Sequence, residues 1–180
     1  MKIADRQLTR SWLVAFGTAL FSLAQLGCQP IATGNRLTVA SAGKISSLDP
    51  AQASTVNTIQ LLSALGDPLY SLDGNGELIP RLAEASPIVS PDGLTVTLPW
   101  RRDVLFHDGT RCDAEAMAFS LRRFLEIGTL SYVVGGRIRS VEVAADHQLV
   151  LRLSRPSTSL EGLLTSVNLT PVSPTAYAQH

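Results

Sequence analysis

An alternating run in the middle of the chain restricts its fold more than any other feature. Residues 94–100 place a large apolar side chain at every second position. These side chains are Leu94, Val96, Leu98 and Trp100. Because successive side chains of a strand point to opposite faces, the pattern predicts a strand with one face in the core. Pro99 lacks a backbone N–H, so the strand is expected to end there or to lie at a sheet edge.

A helix with one apolar side is predicted shortly after this strand. Asp113 is placed to cap its N-terminus, and residues 114–126 form its body. The apolar stripe consists of Met117, Leu121, Phe124 and Leu125. Arg122 and Arg123 are expected near the C-terminal end, where the helix dipole favours cations. A one-sided strand together with an amphipathic helix indicates an α+β fold.

Shorter patterns fill the rest of the chain. Strands are predicted at residues 37–40, 104–106, 141–143 and 149–153, the last two forming a hairpin. Helices are predicted at residues 55–65 and 159–167, with a helical turn at 79–84. Val56, Ile59, Leu62 and Leu65 recur at helical spacing in the first helix. Glycine-containing turns are expected at residues 73–76 and 90–93.

The first residues have the pattern of an export signal. Lys2, Arg6 and Arg10 precede an uncharged, mostly apolar run at residues 12–26. A helix of that length spans about 22 Å, which is short of the ~30 Å hydrocarbon core of a bilayer. The pattern therefore predicts a secretory signal rather than a membrane-spanning helix.

The composition excludes several classes of function. The 15 Lys and Arg residues balance the 15 Asp and Glu residues, so the chain lacks the net positive charge typical of nucleic-acid binding. Only two cysteines are present, Cys28 and Cys112, which excludes a disulfide framework. Neither the cysteines nor the three histidines have the spacing of a metal site. Cys112 is interpreted as a small buried apolar residue, with a reactive thiol as the alternative.

The motifs of common catalytic sites are absent from the sequence. It contains no G-x-S-x-G elbow, no Walker loop and no G-x-G-x-x-G loop. His107 and Asp108 are adjacent, so in a strand they would point to opposite faces and could not act as an acid–base pair. We therefore expect a protein that is not an enzyme and needs no cofactor. An exported hydrolase would require a nucleophile–base pair that the sequence does not show.

Four stretches between residues 77 and 123 resemble a known family when taken together. They are residues 77–84 (ELIPRLAE), 91–98 (PDGLTVTL), 101–110 (RRDVLFHDGT) and 114–123 (AEAMAFSLRR). In this order they closely resemble the signature of the family 5 extracellular solute-binding proteins, the peptide/nickel type that serves bacterial ABC importers. Residues 47–50 (SLDP) and the hairpin that precedes Pro156 are similar to the same family.

The N-terminal sequence fits such a protein. Gln25, Leu26, Gly27 and Cys28 resemble the bacterial lipobox, in which the cysteine is acylated, although Gln25 departs from the usual aliphatic residue. This implies a lipoprotein signal peptide at residues 1–27, a linker at 28–36 and lipidation of Cys28. A plain signal peptide with an incidental cysteine is the alternative.

The resemblance implies a two-lobed periplasmic-binding-protein type II-like fold with mixed sheets and short helices. Residues 37–180 would be its N-terminal part, incomplete at the C-terminus. The implied function is capture of oligopeptide-like solutes outside the cytoplasmic membrane for an ABC permease, by a lipid-anchored periplasmic protein. The implied ligand contacts are Ala42, Gly43, Lys44 and Ile45, whose backbone groups would line the cleft. A truncated, non-binding remnant is the alternative, and peptide, nickel, haem and sugar ligands stay open.

Overall fold

The computed structural model describes residues 38–134, 136–144 and 147–178. Its strands are β1 Tyr70–Leu72, β2 Leu78–Pro80, β3 Ile88–Val89, β4 Thr95–Pro99, β5 Ile138–Ala144 and β6 Gln148–Leu153. Its α-helices are α1 Val56–Leu65, α2 Ala114–Ile127, α3 Leu160–Leu164 and α4 Pro174–Tyr177. Short 3-10 turns occur at Pro50–Gln52, Ser131–Val134 and Val167–Leu169. The predictions for residues 1–27, for Cys28 and for the linker 28–36 lie outside the described residues.

A four-stranded sheet forms the frame of the molecule, in the order β3-β4-β6-β5 with every neighbouring pair antiparallel. The predicted alternating strand is confirmed as β4, which pairs Val96 with Leu151 and Leu98 with Leu149. Val96, Leu98 and Trp100 are each at most 1% exposed. The expectation that the strand ends at Pro99 is confirmed. The alternative, a position at the sheet edge, is wrong, because β4 lies between β3 and β6.

The predicted amphipathic helix is confirmed as α2, which packs against this sheet. The Asp113 carboxylate accepts the Ala116 N–H at 3.0 Å and so caps the helix. Met117, Leu121 and Phe124 are buried in the main core, and Leu125 packs against it half-buried. The indole N–H of Trp100 donates to the Cys112 carbonyl at 2.7 Å, which ties the end of β4 to the start of α2.

The two arginines of α2 do not serve the helix dipole as expected, since its last turn holds no basic residue. The Arg122 guanidinium instead donates to the Val141 carbonyl at 3.1 and 2.8 Å, which ties α2 to β5. Arg123 is paired with Asp49, far away in sequence. Both side chains therefore make directed tertiary contacts.

Two predicted elements are replaced by other structures. Residues 78–80 form β2 rather than a helical turn, because they pair with β1 in a hairpin that sets Ile79 opposite Ser71. Residues 104–106 do not form a strand, since only Leu105 makes a bridge, to Arg111, across the tight turn between them. Both errors arise because pairing partners, and not local apolar content, decide whether a short segment extends.

Two further predictions are wrong in part. Residues 38–40 have no regular structure, and no strand pairs with them in the described part of the chain. The predicted helix 159–167 is divided into α3 and a 3-10 turn, because the Ser166 hydroxyl accepts the Asn168 N–H and starts the turn anew.

The remaining predictions are largely confirmed. The hairpin is formed by β5 and β6, and the turns at 73–76 and 90–93 have Gly76 and Gly93 at positive φ. Helix 55–65 is confirmed as α1, but Val56 and Leu65 of its predicted stripe are exposed. Only Leu62 and half-buried Ile59 pack inward, against Ala53 and Val167. Among the described residues no helix has the length and apolarity needed to cross a membrane.

Candidate functional site

Segment 42–45 lies against α1, where Gly43 contacts Asn57, and its backbone bends at Ala42 and Gly43. Ala42 and Lys44 are exposed, whereas Gly43 and Ile45 are half-buried. This alternation shows that one side of the segment is packed and the other is open. The four predicted ligand contacts are therefore brought together as one strip, and its outer side faces solvent.

The backbone of this strip is largely unpaired. Within the described part of the chain, the N–H groups of Lys44 and Ile45 and the carbonyls of residues 42–45 have no hydrogen-bond partner. Gly43 is the exception, since its N–H donates to the Ser41 hydroxyl at 3.4 Å. Unused backbone donors and acceptors on an exposed segment can pair with the main chain of an extended ligand, as those of an open strand edge do.

Gly43 allows the strip to approach α1 closely. A Cβ atom at this position would lie 1.4 Å from the amide nitrogen of Asn57. The Asn57 amide oxygen in turn accepts from the Ser41 hydroxyl at 3.5 Å. A larger residue at position 43 would require either the Asn57 side chain or the strip to shift.

A buried hydroxyl anchors the chain directly after the strip. Thr58 is fully buried, and its Oγ1 accepts the Ser46 N–H at 3.3 Å. The Thr55 hydroxyl donates to the same oxygen at 2.9 Å and also accepts the Thr58 N–H as the cap of α1. Thr58 thus links the start of α1 to Ser46, one residue beyond Ile45.

An ion pair provides a second anchor three residues further on. The two terminal nitrogens of Arg123 each contact one carboxylate oxygen of Asp49, one of them at 2.7 Å. The side chains are only 16% and 15% exposed. Asp49 also accepts the Ala51 N–H at 3.1 Å, and the Arg123 guanidinium lies 4.3 Å from the ring centroid of Tyr177. Helices α2 and α4 therefore both contact this position.

The charge of Arg123 keeps Asp49 ionised. Burial alone would raise the pKa of the Asp49 carboxyl, but the hydrogen bonds and positive charge of Arg123 outweigh it and lower the pKa below its ordinary value of 3.8. The same carboxylate raises the pKa of Arg123. The pair is fully charged at neutral pH and serves a positional role rather than proton transfer.

A groove of about 610 Å³ lies next to Asp49, where Leu48 and Pro50 form part of its lining. Leu48, Leu65 and Leu105 line it and are each at least half exposed. The Thr170 hydroxyl beneath it is buried and has no partner among the described residues. The groove offers apolar contact area.

Cys112 also lines this groove, and the structure confirms it as a buried apolar residue. It is 3% exposed, and burial, with the Asp113 charge nearby, raises the pKa of its thiol to about 12. The reactive thiolate is therefore scarce at neutral pH. No group of three or more metal-binding side chains occurs within the described ranges.

The sequence predicts the strip but not the contacts of Thr58 and Arg123 that hold the chain directly after it. In the sequence, Asp49 stands out only as part of the stretch SLDP at residues 47–50, and Arg123 only as a cation near the end of the predicted helix. The partners are separated by 74 residues, so no local pattern connects them. The one available signal was a pair of arginines on a helix whose neighbouring positions are apolar.

Comparisons with known proteins agree with this architecture. The family model described as bacterial extracellular solute-binding proteins, family 5 Middle, matches residues 77–179. The Glutathione-binding protein GsiB of Salmonella choleraesuis is 26% identical over 175 residues, which are 96% of this chain and 33% of that protein. A Sinorhizobium fredii protein, named probable peptide ABC transporter periplasmic-binding protein y4tO, is 27% identical over 91% of this chain and 30% of its own length.

Solved structures show the same fold. Listeria monocytogenes OppA bound to peptide aligns with a TM-score of 0.70 at 20% identity, covering 77% of this chain and 31% of the other. The predicted fold class, α+β in the manner of a type II periplasmic binding protein, is confirmed. The chain spans about a third of the length of the curated relatives it matches.

Proposed function

Because the chain belongs to the family 5 bacterial extracellular solute-binding proteins, we propose that it forms part of the substrate-binding component of an ABC importer for oligopeptide-like solutes. The observation that carries the proposal is the unpaired backbone of segment 42–45. Relatives named for glutathione and peptide binding support the choice of ligand class.

The strip would bind a peptide by main-chain pairing. The N–H groups of Lys44 and Ile45 donate to peptide carbonyls, and the carbonyls of residues 42–45 accept from peptide N–H groups. Bonds of this kind do not depend on the ligand's side chains, so they allow many peptide sequences. Binding is completed by closure of two lobes around the ligand, and the peptide is passed on to permease subunits without any bond being made or broken.

The location of the protein follows from its N-terminal sequence. Cleavage before Cys28 and acylation of its thiol would keep the protein at the outer face of the cytoplasmic membrane. We expect mass spectrometry of the mature protein to find a lipid-modified N-terminus at Cys28. A Cys28→Ala variant should be released in soluble form, and an unmodified wild-type N-terminus would overturn the lipid anchor.

Titration calorimetry of the full chain with tri-alanine, penta-alanine and glutathione tests the proposed function. Lys44→Pro removes one N–H from the strip, and Lys44→Ala removes the same side chain but keeps that N–H. One lost hydrogen bond corresponds to about 0.5–1.5 kcal/mol, so Lys44→Pro should weaken binding roughly 2- to 13-fold relative to Lys44→Ala.

The outcomes separate the possible failures. Equal losses in the two variants would assign binding to the ammonium rather than to the backbone. Absence of heat with all three ligands would overturn peptide capture by this chain and favour the non-binding alternative.

A further inference from the structure

We propose that Arg123, Asp49 and Thr58 are positioning residues that hold segment 42–45 in the conformation that accepts ligand. The inference rests on the proposed function of that segment. None of the three side chains lies within the segment itself. They act on the chain that follows it, at Ser46 and at Asp49.

The two anchors stand close behind the strip. Ser46, held by Thr58, follows Ile45 directly, and Asp49, held by Arg123, follows it by four residues. Each residue of extended chain spans at most about 3.6 Å, so the strip cannot move far from either anchor while both are made. The Ser47 hydroxyl between them accepts the Asp49 N–H at 3.0 Å, which fixes the path of the connecting residues.

Arg123 fixes the orientation of the Asp49 carboxylate in addition to neutralising its charge. Its planar guanidinium meets the Asp49 carboxylate with two parallel contacts, a geometry that a lysine ammonium cannot reproduce. Tyr177 lies against the guanidinium, and α2 itself is packed against the sheet. Arg123 thereby connects α2 to Asp49, four residues beyond the strip.

The anchors matter because few other contacts order the strip, namely the Gly43 N–H bond to Ser41 and the packing of Gly43 against Asn57. Segment 42–45 is not part of a sheet, and its backbone groups have no ladder of hydrogen bonds among the described residues. Its conformation therefore depends on the side chains that hold its ends. If these side chains are removed, the strip must become ordered when the ligand binds, and the free-energy cost of that ordering weakens binding.

A second ion pair provides a matched control. Arg101 and Asp103 form a contact of 2.9 Å, but their side chains are 46% and 70% exposed and the residues are two apart in sequence. Such a pair connects no distant segments. Arg101→Met therefore removes an arginine and an ion pair without touching the strip.

The test measures tri-alanine affinity by calorimetry for the full chain and for four variants: Arg123→Met, Arg123→Lys, Thr58→Val and Arg101→Met. Freeing one residue should weaken binding about 5- to 30-fold in Arg123→Met, given the entropy of ordering a residue. Thr58→Val should weaken it less, and Arg123→Lys should restore part of the loss. Arg101→Met should bind as the wild type does. Circular dichroism selects a temperature at which each variant is fully folded.

Hydrogen–deuterium exchange distinguishes positioning from general stabilisation. We expect faster exchange in residues 42–47 of Arg123→Met and Thr58→Val, with α2 and the four-stranded sheet unchanged. Wild-type exchange in those residues, or wild-type affinity in Arg123→Met, would overturn the inference. If the wild type binds no peptide, the proposed function is overturned. The exchange data then still show whether Arg123 and Thr58 order residues 42–47.

Discussion

The four-stranded sheet with α2 and the segment from Ser41 to Ala53 are held in place by different kinds of contact. The sheet and α2 bury Trp100, Leu98 and Leu121 at 1% exposure or less. The segment from Ser41 to Ala53 buries apolar side chains only at its end, at Pro50, Ala51 and Ala53, and the rest of it is held through the polar groups of Thr58 and Arg123. Apolar burial is non-directional, whereas hydrogen bonds fix the direction of the groups they join.

The difference divides two tasks between the regions. Burial of one large apolar side chain contributes about 1.5–3 kcal/mol, against about 0.5–1.5 kcal/mol for one hydrogen bond. The sheet and α2 therefore set the free energy of unfolding. The polar contacts add less energy but define where the backbone of segment 42–45 lies, which is what a binding surface requires.

The largest effect is expected from truncation in the core. Leu121→Ala should lower the free energy of unfolding by about 2–5 kcal/mol, because the side chain is 1% exposed and leaves a cavity. Leu125→Ala on the same helix, half-buried, should cost clearly less. Urea denaturation measures both. A loss below about 1 kcal/mol in Leu121→Ala, against the usual range for buried leucines, would contradict the division.

An intermediate effect is expected from acidification. Since the folded-state pKa of Asp49 is lowered, its carboxylate stabilises the folded state above the ordinary value of 3.8, and this stabilisation disappears as pH falls through the folded-state pKa. At pH 7 the free energy of unfolding of the wild type should be about 1–2 kcal/mol higher than that of Asp49→Asn, because hydrogen bonds to charged groups contribute more than hydrogen bonds between neutral groups.

The pH dependence of that difference is the measurement. Urea denaturation of both proteins from pH 7 to pH 2.5 should show the gap constant above about pH 5 and shrinking below about pH 4. Exposed carboxylates such as Asp73 and Asp103 are common to both proteins and cancel in the comparison. A gap that stays constant down to pH 2.5 would show that the charge of Asp49 contributes nothing.

The smallest effect is expected in the apolar groove. Leu105→Ser should change the free energy of unfolding by no more than about 0.5 kcal/mol, because the side chain is 63% exposed. Leu98→Ser, in a fully buried position of β4, serves as the destabilised reference. A large loss in Leu105→Ser would mean that the groove contributes to the core.

The sequence predicted best where a pattern is local and repeated. β4 and α2 were found because alternation and the apolar stripe report burial directly, and the Asp113 cap marks a boundary. Residues 78–80 and 104–106 were assigned wrongly because their apolar content is similar and their structure depends on a partner. Residues 78–80 pair with β1 and so form a strand, whereas Leu105 makes only an isolated bridge to Arg111.

The sequence led to a prediction of where the candidate site lies but not of the side chains that hold it. Family resemblance indicated segment 42–45, and the structure shows its alternating exposure. Thr58 was hidden within a helix whose visible pattern is apolar, and Val56 and Leu65 of that pattern proved to be exposed. A polar residue inside a helix gives no sign of whether it faces solvent or a distant backbone N–H.

The long-range contacts around the turn Pro50–Gln52 also determine when it can form. Asp49 meets Arg123 across 74 residues, and the Asn168 amide donates to the carbonyls of Pro50 and Ala53 across 118 and 115 residues, each at 2.8 Å. During synthesis this turn leaves the ribosome before any of these partners exists. Its local hydrogen bonds can form early, whereas its contacts with Arg123 and Asn168 are completed only after residue 168 has been synthesised.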